Sequence, residues 1–469
     1  MGAGGRTPHR IVIVGGGAGG LPLATALGDR YGRDGPVQVT LVDRNATHVW
    51  KPLLHEVAAG RMDADAHDLD YLAIAHWHRF RFRQGALAGL DRGRREVTLA
   101  AVAGPDGEEI LPRRTLPYDT LVICVGSVGN DFGVPGAAQH PISLDTLDDA
   151  ERFHRRLLAV CVRADGRAAA GEAARVDIVI IGAGATGVEL AAEIRQTTRA
   201  HAGYGLDHLD PARDIRITLI EASPRILPPL SERVASAAAE LLAKLDVDVR
   251  TGQRVTEVAA DGVRTADGTF LPADLIVWAA GIMAPAVLRD LDGLEANRAN
   301  QLVVTATLQT TRDPDVFAFG DCAAAPWLGH KGDVRPEGPP RGTGLPPRAG
   351  ASEANVGAVR LLPPRAQVAH QQATLLAKSI KARLAGKPLP EFRFTDFGSL
   401  VSLGELSAVG TLMGALIGGS LLIHGLIARL MYTSLYKMHQ MSIHGFVRVA
   451  FDTVGRLLRG RLEPRVKLH

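Results

Sequence analysis

A strand, a glycine-rich turn and a helix occur twice in this chain, each time followed by a second strand that ends on an acid. The first copy runs from the apolar stretch Ile11 to Val14 through Gly15-Gly16-Gly17-Ala18-Gly19-Gly20 into a helix from Leu21 to Leu27, and its next strand, Val37 to Val42, ends at Asp43. The second runs from Val176 to Ile181 through Gly182-Ala183-Gly184-Ala185-Thr186-Gly187 into a helix reaching about Gln196, and its next strand, Ile215 to Ile220, ends at Glu221. In G-x-G-x-x-G the first glycine permits a tight turn and the second lets a pyrophosphate approach the backbone. The third lets helix and strand pack closely, so that the helix N-terminus faces the anion. A terminal carboxylate accepts hydrogen bonds from ribose hydroxyls. A single such motif is weak evidence, because any glycine-rich strand-to-helix turn matches it. Two copies in the same context point to two dinucleotide sites.

Each copy carries, farther on, an apolar strand that stops at a glycine: Leu121 to Val125 before Gly126, and Leu275 to Ala280 before Gly281. Both glycines are expected to border the bound nucleotide. Two dinucleotide sites in one chain have an economical explanation, in which one holds a flavin and the other admits a nicotinamide that hands it a hydride. A later strand, Asp315-Val316-Phe317-Ala318-Phe319-Gly320-Asp321, ends in Gly-Asp and resembles the closing flavin motif of the two-dinucleotide-binding-domain flavoproteins. That resemblance implies FAD at Gly15, Gly17, Gly20, Asp43 and Gly126, with Asp321 reaching the ribitol. It implies NADH or NADPH at Gly182, Gly184, Gly187, Glu221 and Gly281. Glu221 favours NADH, because a carboxylate there binds the 2′-hydroxyl and repels a 2′-phosphate. Arg225, four positions on, is the residue that could meet such a phosphate.

Composition excludes several classes. At 469 residues, with 46% hydrophobic and 22% charged positions, the chain is folded and of multidomain length. Cys124, Cys161 and Cys322 are widely spaced and lack a C-x-x-C pair, which excludes a disulfide scaffold and a structural zinc site; no metal is expected. Residues 1 to 10 hold no apolar stretch of the kind a secretion signal needs, so the body is expected in the cytoplasm. The net charge of +3 hides an asymmetry: residues 429–469 carry +6, leaving −3 for the remainder. Nothing in this pattern points to nucleic acid.

Many flavoproteins of this superfamily use a cysteine pair beside the flavin, after the first acid. Here that segment reads His48-Val49-Trp50-Lys51-Pro52-Leu53-Leu54-His55-Glu56-Val57-Ala58 and has no cysteine, which disfavours disulfide and thioredoxin reductases. This stretch resembles bacterial type II NADH:quinone oxidoreductases, as do the Gly-Ala-Thr-Gly-Val-Glu-Leu turn at 184–190, Pro363-Pro364-Arg365-Ala366-Gln367-Val368-Ala369-His370-Gln371, and the ending Pro464-Arg465-Val466-Lys467-Leu468-His469. The resemblance covers nearly the whole chain. It implies an α/β fold of two Rossmann-like domains, the second inserted in the first, and a single-subunit, non-proton-pumping respiratory enzyme. It passes a hydride from NADH to FAD and then two electrons to ubiquinone or menaquinone.

From the residues alone, Pro363-Pro364 suits a helix start, and Gln367, His370 and Gln371 share one helix face. The resemblance makes Gln367 and Gln371 quinone and flavin contacts, Lys51 and Ala366 flavin neighbours, and Glu189 a carboxylate near the flavin. Quinone reduction consumes two protons, for which Glu189 and His439 are candidate relays. Residues 327–361, rich in Gly and Pro, read as a surface insertion without packed structure. The link between the Gly-Asp motif and this helix is usually short in the resembled family.

A quinone enzyme must touch lipid. Ile427, Leu430, Met431, Leu435, Met438 and Met441 recur at helical spacing, with Arg429, Thr433, Lys437 and Gln440 on another face, and a second stretch from Phe446 to Arg461 repeats the arrangement. Apolar faces beside cationic ones suit an anionic bilayer surface or a dimer interface. A rival is a membrane-spanning helix in 407–428, which has no charged residue, although its glycines and the strand-like Ser399 to Leu403 before it argue for strands. The expected organisation is therefore an FAD domain from 1–150 and 293–405, an NADH domain from 176–292, the 327–361 insertion, and a C-terminal region, 406–469. That last region holds the chain as a peripheral protein on the cytoplasmic face of the inner membrane. Two alternatives stay open: a sulfide:quinone oxidoreductase using the cysteines, and an NADH-sensing flavoprotein that binds a partner.

Overall fold

The computed structural model describes residues 7–33, 35–63, 69–104, 106–329 and 360–403; beyond these it describes strands Ala408–Met413 and Ser420–His424 and scattered helical residues between 434 and 455. The chain forms two compact units. One comprises Met1–His48, Asp70–Ser127 and Met283–Asp396, and the other Val49–Leu69, Val128–Ile282 and Phe397–His469. The organisation expected from the motifs placed 1–150 and 293–405 together, whereas segments 49–69, 128–150 and 397–405 join the second unit. Burial explains where they go. Leu54, Val57 and Ala58 lie in one core with Phe153, Leu157, Val188 and Val401, and a segment joins the unit in which its apolar side chains leave water.

The first unit is built on a six-stranded sheet in the order Gln309–Thr310, Asp313–Ala318, Thr120–Ile123, His9–Val14, Val37–Asp43, Arg81–Gln84. Ile11 to Val14 are all buried, as a continuous apolar run must be when both sheet faces are covered. Ile11 pairs in parallel with Val39 on one side and Thr120 on the other. The helix predicted from Leu21 to Leu27 runs from Gly20 to Tyr31. A three-stranded antiparallel sheet of Leu87–Asp91, Glu96–Leu99 and Arg114–Pro117 precedes the strand that ends before Gly126.

The second unit repeats the plan with a five-stranded parallel sheet, ordered Ile142–Ser143, Leu275–Trp278, Val176–Ile181, Ile215–Ile220, Val247–Arg250. Its glycine-motif helix, Ala185–Ala202, extends six residues beyond the predicted end at Gln196. The preceding helix, Leu147–Ala169, starts at a capping box in which the Thr146 hydroxyl accepts the Asp149 N–H at 3.1 Å and the Asp149 carboxylate accepts the Thr146 N–H at 3.1 Å. It buries Ala150, Phe153, Leu157, Cys161 and Ala164, spaced three and four apart on one face. Phe153→Ala would empty the middle of that face at a cost of about 3–5 kcal/mol.

The uncharged run 407–428 contains strands rather than a spanning helix. Ala408–Met413 pairs antiparallel with Ser399–Ser402 and with Ser420–His424, in a register that sets Gly410 against Leu400 and Ile423. Among the described residues, no helix is long and apolar enough to cross a membrane. Of the predicted amphipathic helices, 434, 436–441 and 448–451 are described as helical, while Ile427, Leu430, Met431, Leu435 and the stretch after 455 lie outside the described residues. Gln440, expected on the polar face, is buried, whereas Met438 on the apolar face is 52% exposed. The face that turns inward carries His439, Gln440 and Ile443. Residues 330–359 of the insertion also lie outside the described residues. Its flanks meet, with Trp327 N–H donating to the Arg360 carbonyl at 2.7 Å and the Arg360 guanidinium 4.3 Å from the Trp327 ring.

Candidate active site

The two glycine motifs divide their labour in the same way atom by atom. Gly15 has φ +110°, and a Cβ there would lie 2.3 Å from the Cys124 carbonyl oxygen; a Cβ on Gly20 would lie 1.8 Å from the Gly15 oxygen. A Cβ on Gly17 would meet nothing within 4 Å. In the second copy Gly182 has φ +103°, Gly187 would press to 2.0 Å on the Gly182 oxygen, and Gly184 again faces open space. Outer glycines are therefore required by the fold, and the middle one leaves room for a pyrophosphate.

The acids match as closely. Asp43 accepts the N–H of Gly16 at 2.7 Å and of Asn45 at 2.9 Å. Glu221 accepts the N–H of Ala183 at 2.9 Å and of Ser223 at 2.8 Å. Each carboxylate locks its own turn while keeping lone pairs for ribose hydroxyls. Burial pushes the Asp43 carboxyl up, partly offset by the N–H donors of Asn45 and Gly16. Arg225 turns its Nη2 onto the carbonyls of Pro228 and Leu230, at 2.7 and 2.8 Å. These features fit a dinucleotide in each copy.

Around the Gly-Asp motif, the Ser127 hydroxyl donates to the Asp321 carboxylate at 2.9 Å and Gln301 donates to the Asp321 carbonyl at 3.0 Å. Gly126 and Gly281 have φ +72° and +66°, so chain direction alone explains a glycine at each. Helix Ala366–Leu384 begins directly after Arg365 with no side-chain cap; the Val368 N–H turns back onto the Arg365 carbonyl at 3.0 Å, which leaves those of Ala366 and Gln367 for an anion. Its three glutamines differ. Gln367 is half-buried and has no hydrogen-bond partner among the described residues. Gln371 spends both ends of its amide on Thr395, donating to the carbonyl at 2.8 Å and accepting the N–H at 3.0 Å. Gln372, absent from the sequence reading, is 1% exposed and accepts the Gly320 N–H at 2.8 Å. A signal for it existed: it falls on the stripe Val368, Ala369, Ala373, Leu376, a polar residue at a core position. Burial pulls the His370 imidazole down.

Glu189 is the fifth residue of its helix and only 6% exposed. Its Oε1 accepts the Ser402 N–H at 3.0 Å, and Oε2 lies 3.5 Å from Nδ1 of His55. Burial raises its carboxyl well above the usual range, the Ser402 N–H opposing and the Glu56 and Glu193 carboxylates reinforcing that shift. His55 is pulled down to about 4, chiefly by burial. One turn on, Arg61 Nε lies 3.1 Å from Glu193, and its Nη1 donates to Gln196 at 3.0 Å. His439 stacks on Trp50, ring centroids 3.9 Å apart, and Lys51 is exposed and ion-paired with Asp145 at 3.0 Å.

The cysteines are poorly suited to redox work. All three are buried and unpaired. Cys124 donates to the Gly15 carbonyl at 3.1 Å and Cys322 to the Phe319 carbonyl at 3.3 Å. Burial pushes the thiols of Cys161 and Cys322 up to about 12 and that of Cys124 well above its ordinary value, so the nucleophilic thiolate is scarce.

Residues 9–373 match the family model "Pyridine nucleotide-disulphide oxidoreductase". The chain is 40% identical to the type II NADH:quinone oxidoreductase of Haemophilus influenzae, over 98% of this chain and 99% of that one. It is 30% identical to type II NADH:quinone oxidoreductase Ndh of Mycobacterium tuberculosis, over 86% of this chain and 79% of that one. Among solved structures, NDH2 from Plasmodium falciparum in complex with NADH shares the fold, with a TM-score of 0.77 at 16% identity over 99% of this chain and 100% of that one. With two matching nucleotide cradles and this likeness along its whole length, the chain belongs to the pyridine nucleotide-disulphide oxidoreductase family and, within it, to the type II NADH:quinone oxidoreductases.

Proposed function

We propose that this chain oxidises NADH and reduces a membrane quinone through bound FAD, without moving protons across the membrane. The observation that carries the reading is the doubled cradle: Gly17 with Asp43 for FAD, and Gly184 with Glu221 for NADH. When bound, FAD takes up a hydride and gives back two electrons, chemistry that no side chain supplies. The residues bind, orient and move protons. Glu221 takes the ribose 2′-hydroxyl, and the engagement of Arg225 with carbonyls of its own loop favours NADH over NADPH. Asp321, oriented by Ser127, binds the flavin side chain. The uncapped start of helix Ala366–Leu384 supplies N–H groups where negative charge develops, and Gln367, whose amide has no partner among the described residues, serves a quinone carbonyl. Glu189, its carboxyl raised by burial, donates a proton to the reduced quinone.

The chain acts as a peripheral protein on the cytoplasmic face of the inner membrane. Met438 and Phe451, 52% and 76% exposed, offer apolar contacts beside a tail of charge +6. A homodimer is compatible with this surface. Thiols turned onto backbone carbonyls disfavour the sulfide-oxidising alternative. The test is steady-state NADH loss by the FAD-loaded protein with a soluble quinone. The reading requires turnover that stops when either quinone or FAD is withheld; turnover with sulfide but not NADH would reject it.

A further inference from the structure

Phe132, in the loop 130–136, breaks two ordinary rules at once. Its ring is 62% exposed, and its φ of +51° lies in the left-handed region, where a bulky residue is a backbone outlier. The neighbours hold it there. The Asn130 side-chain oxygen accepts the Phe132 N–H and that of Asp131 accepts the Gly133 N–H, each at 2.9 Å. On one side the Trp278 indole N–H donates to the Asn130 carbonyl at 2.8 Å. On the other, Val134 packs on the core around Val179 and Ile220, and the Val258 N–H donates to the Pro135 carbonyl at 2.9 Å. A loop tied down at both ends thus keeps an apolar ring in water on a strained backbone. Strain that the surroundings enforce in this way gathers at ligand sites.

The place of the ring says what it meets. A Cβ on Gly281 would lie 2.3 Å from Phe132 Cζ, and one on Gly182 would lie 2.7 Å from Ala280 Cα. The ring therefore stands one residue beyond the backbone that packs on the glycine turn, past the carboxyl end of strand Leu275–Trp278. Strand Val176–Ile181, which leads into that turn, lies between Leu275–Trp278 and Ile215–Ile220. The strand Ile215–Ile220 leads to Glu221, which takes the adenosine ribose, and the turn takes the pyrophosphate. In an open parallel sheet the ligand lies across the carboxyl ends of the strands, so the other half of the dinucleotide extends past Leu275–Trp278 to Gly281 and Phe132. Resting on the reading that Gly184 and Glu221 cradle NADH, we infer that Phe132 is the wall of the nicotinamide half of that site, its ring packing on the nicotinamide riboside. No bond forms or breaks at the ring. It takes apolar surface out of water and, with only two side-chain torsions, loses little entropy in doing so.

The test uses the full-length FAD-loaded protein and two replacements that accept positive φ, Phe132→Asn and Phe132→Gly, with Phe132→Tyr to restore a ring. Anaerobic flavin bleaching against NADH concentration gives the Kd for NADH. ADP, which carries the adenosine and pyrophosphate but no nicotinamide, is titrated as a competitor. Both variants without the ring should show a Kd for NADH about five- to tenfold higher, recovered largely in Phe132→Tyr, while the inhibition constant of ADP changes less than about twofold. Melting temperatures should stay within about 5 °C of the unmodified protein's, the ring being exposed. An unchanged Kd for NADH in Phe132→Asn and Phe132→Gly, with ADP competing normally, would overturn the inference and leave the cradle standing. Equal weakening of NADH and ADP, or a larger fall in melting temperature in both variants, would assign the ring to the fold and overturn it as well. ADP that fails to compete in the unmodified protein would instead reject the NADH cradle, and the inference with it.

Discussion

Ser402 donates its backbone N–H to Oε1 of Glu189 at 3.0 Å, so strand Ser399–Ser402 holds a carboxyl of helix Ala185–Ala202. Burial outweighs this bond and raises the carboxyl well above 4.5. The native state then keeps a proton that the unfolded chain releases, and this group's contribution to stability falls as pH rises from about 4.5 toward the raised value. Glu189→Gln should therefore remain more stable than the unmodified protein above that window, with the difference shrinking on acidification. Thermal melts across pH check this. His55, pulled down to about 4, acts with the opposite sign between pH 6.5 and 4, so the difference between variant and parent is the informative quantity. A difference independent of pH would contradict the shift.

Two glycines of one motif should fail differently. Gly17→Ala places a methyl in open space and should fold while losing FAD; Gly20→Ala drives Cβ onto the Gly15 oxygen and should fold poorly. Flavin content and melting temperature separate the two. Equal loss of stability in both would refute the division of labour.

Glu221→Gln removes the charge that repels a 2′-phosphate while keeping an amide oxygen for the loop N–H groups. kcat/KM for NADPH should rise about tenfold relative to that for NADH, a shift of about 1.4 kcal/mol. No change in the ratio would leave the nucleotide preference without its stated cause.

Gln371→Leu forfeits both bonds to Thr395 and should cost about 1–3 kcal/mol of stability. Gln367→Leu should leave stability within about 0.5 kcal/mol and raise KM for quinone, since no partner among the described residues is lost. Denaturant melts and quinone titrations on both variants distinguish a structural amide from a substrate-facing one.

The parts of this molecule legible in its sequence are those fixed by local sterics. Gly15 and Gly182 need positive φ, Gly20 and Gly187 need contact with a carbonyl one turn back, and strands such as Val176–Ile181 announce themselves as apolar runs. The surroundings of Glu189 were not legible, because His55 and Ser402 reach it from distant segments and only packing brings them together. Spacing likewise placed Gln367 and Gln371 on one face but could not say that Gln371 is consumed by Thr395, or that Gln372 holds Gly320. In the C-terminal helix, periodicity put Gln440 on the polar face, and the packing that sets His439 against Trp50 buries it instead.

The central claim is that one chain takes electrons from NADH and gives them to quinone through its flavin. An anaerobic titration tests it most directly, NADH being added to the oxidised protein and a soluble quinone afterwards. The expected result is that NADH bleaches the flavin and quinone restores its absorbance at a rate no slower than steady-state turnover. A flavin that NADH leaves oxidised, or one that quinone reoxidises far more slowly than turnover, would contradict the account.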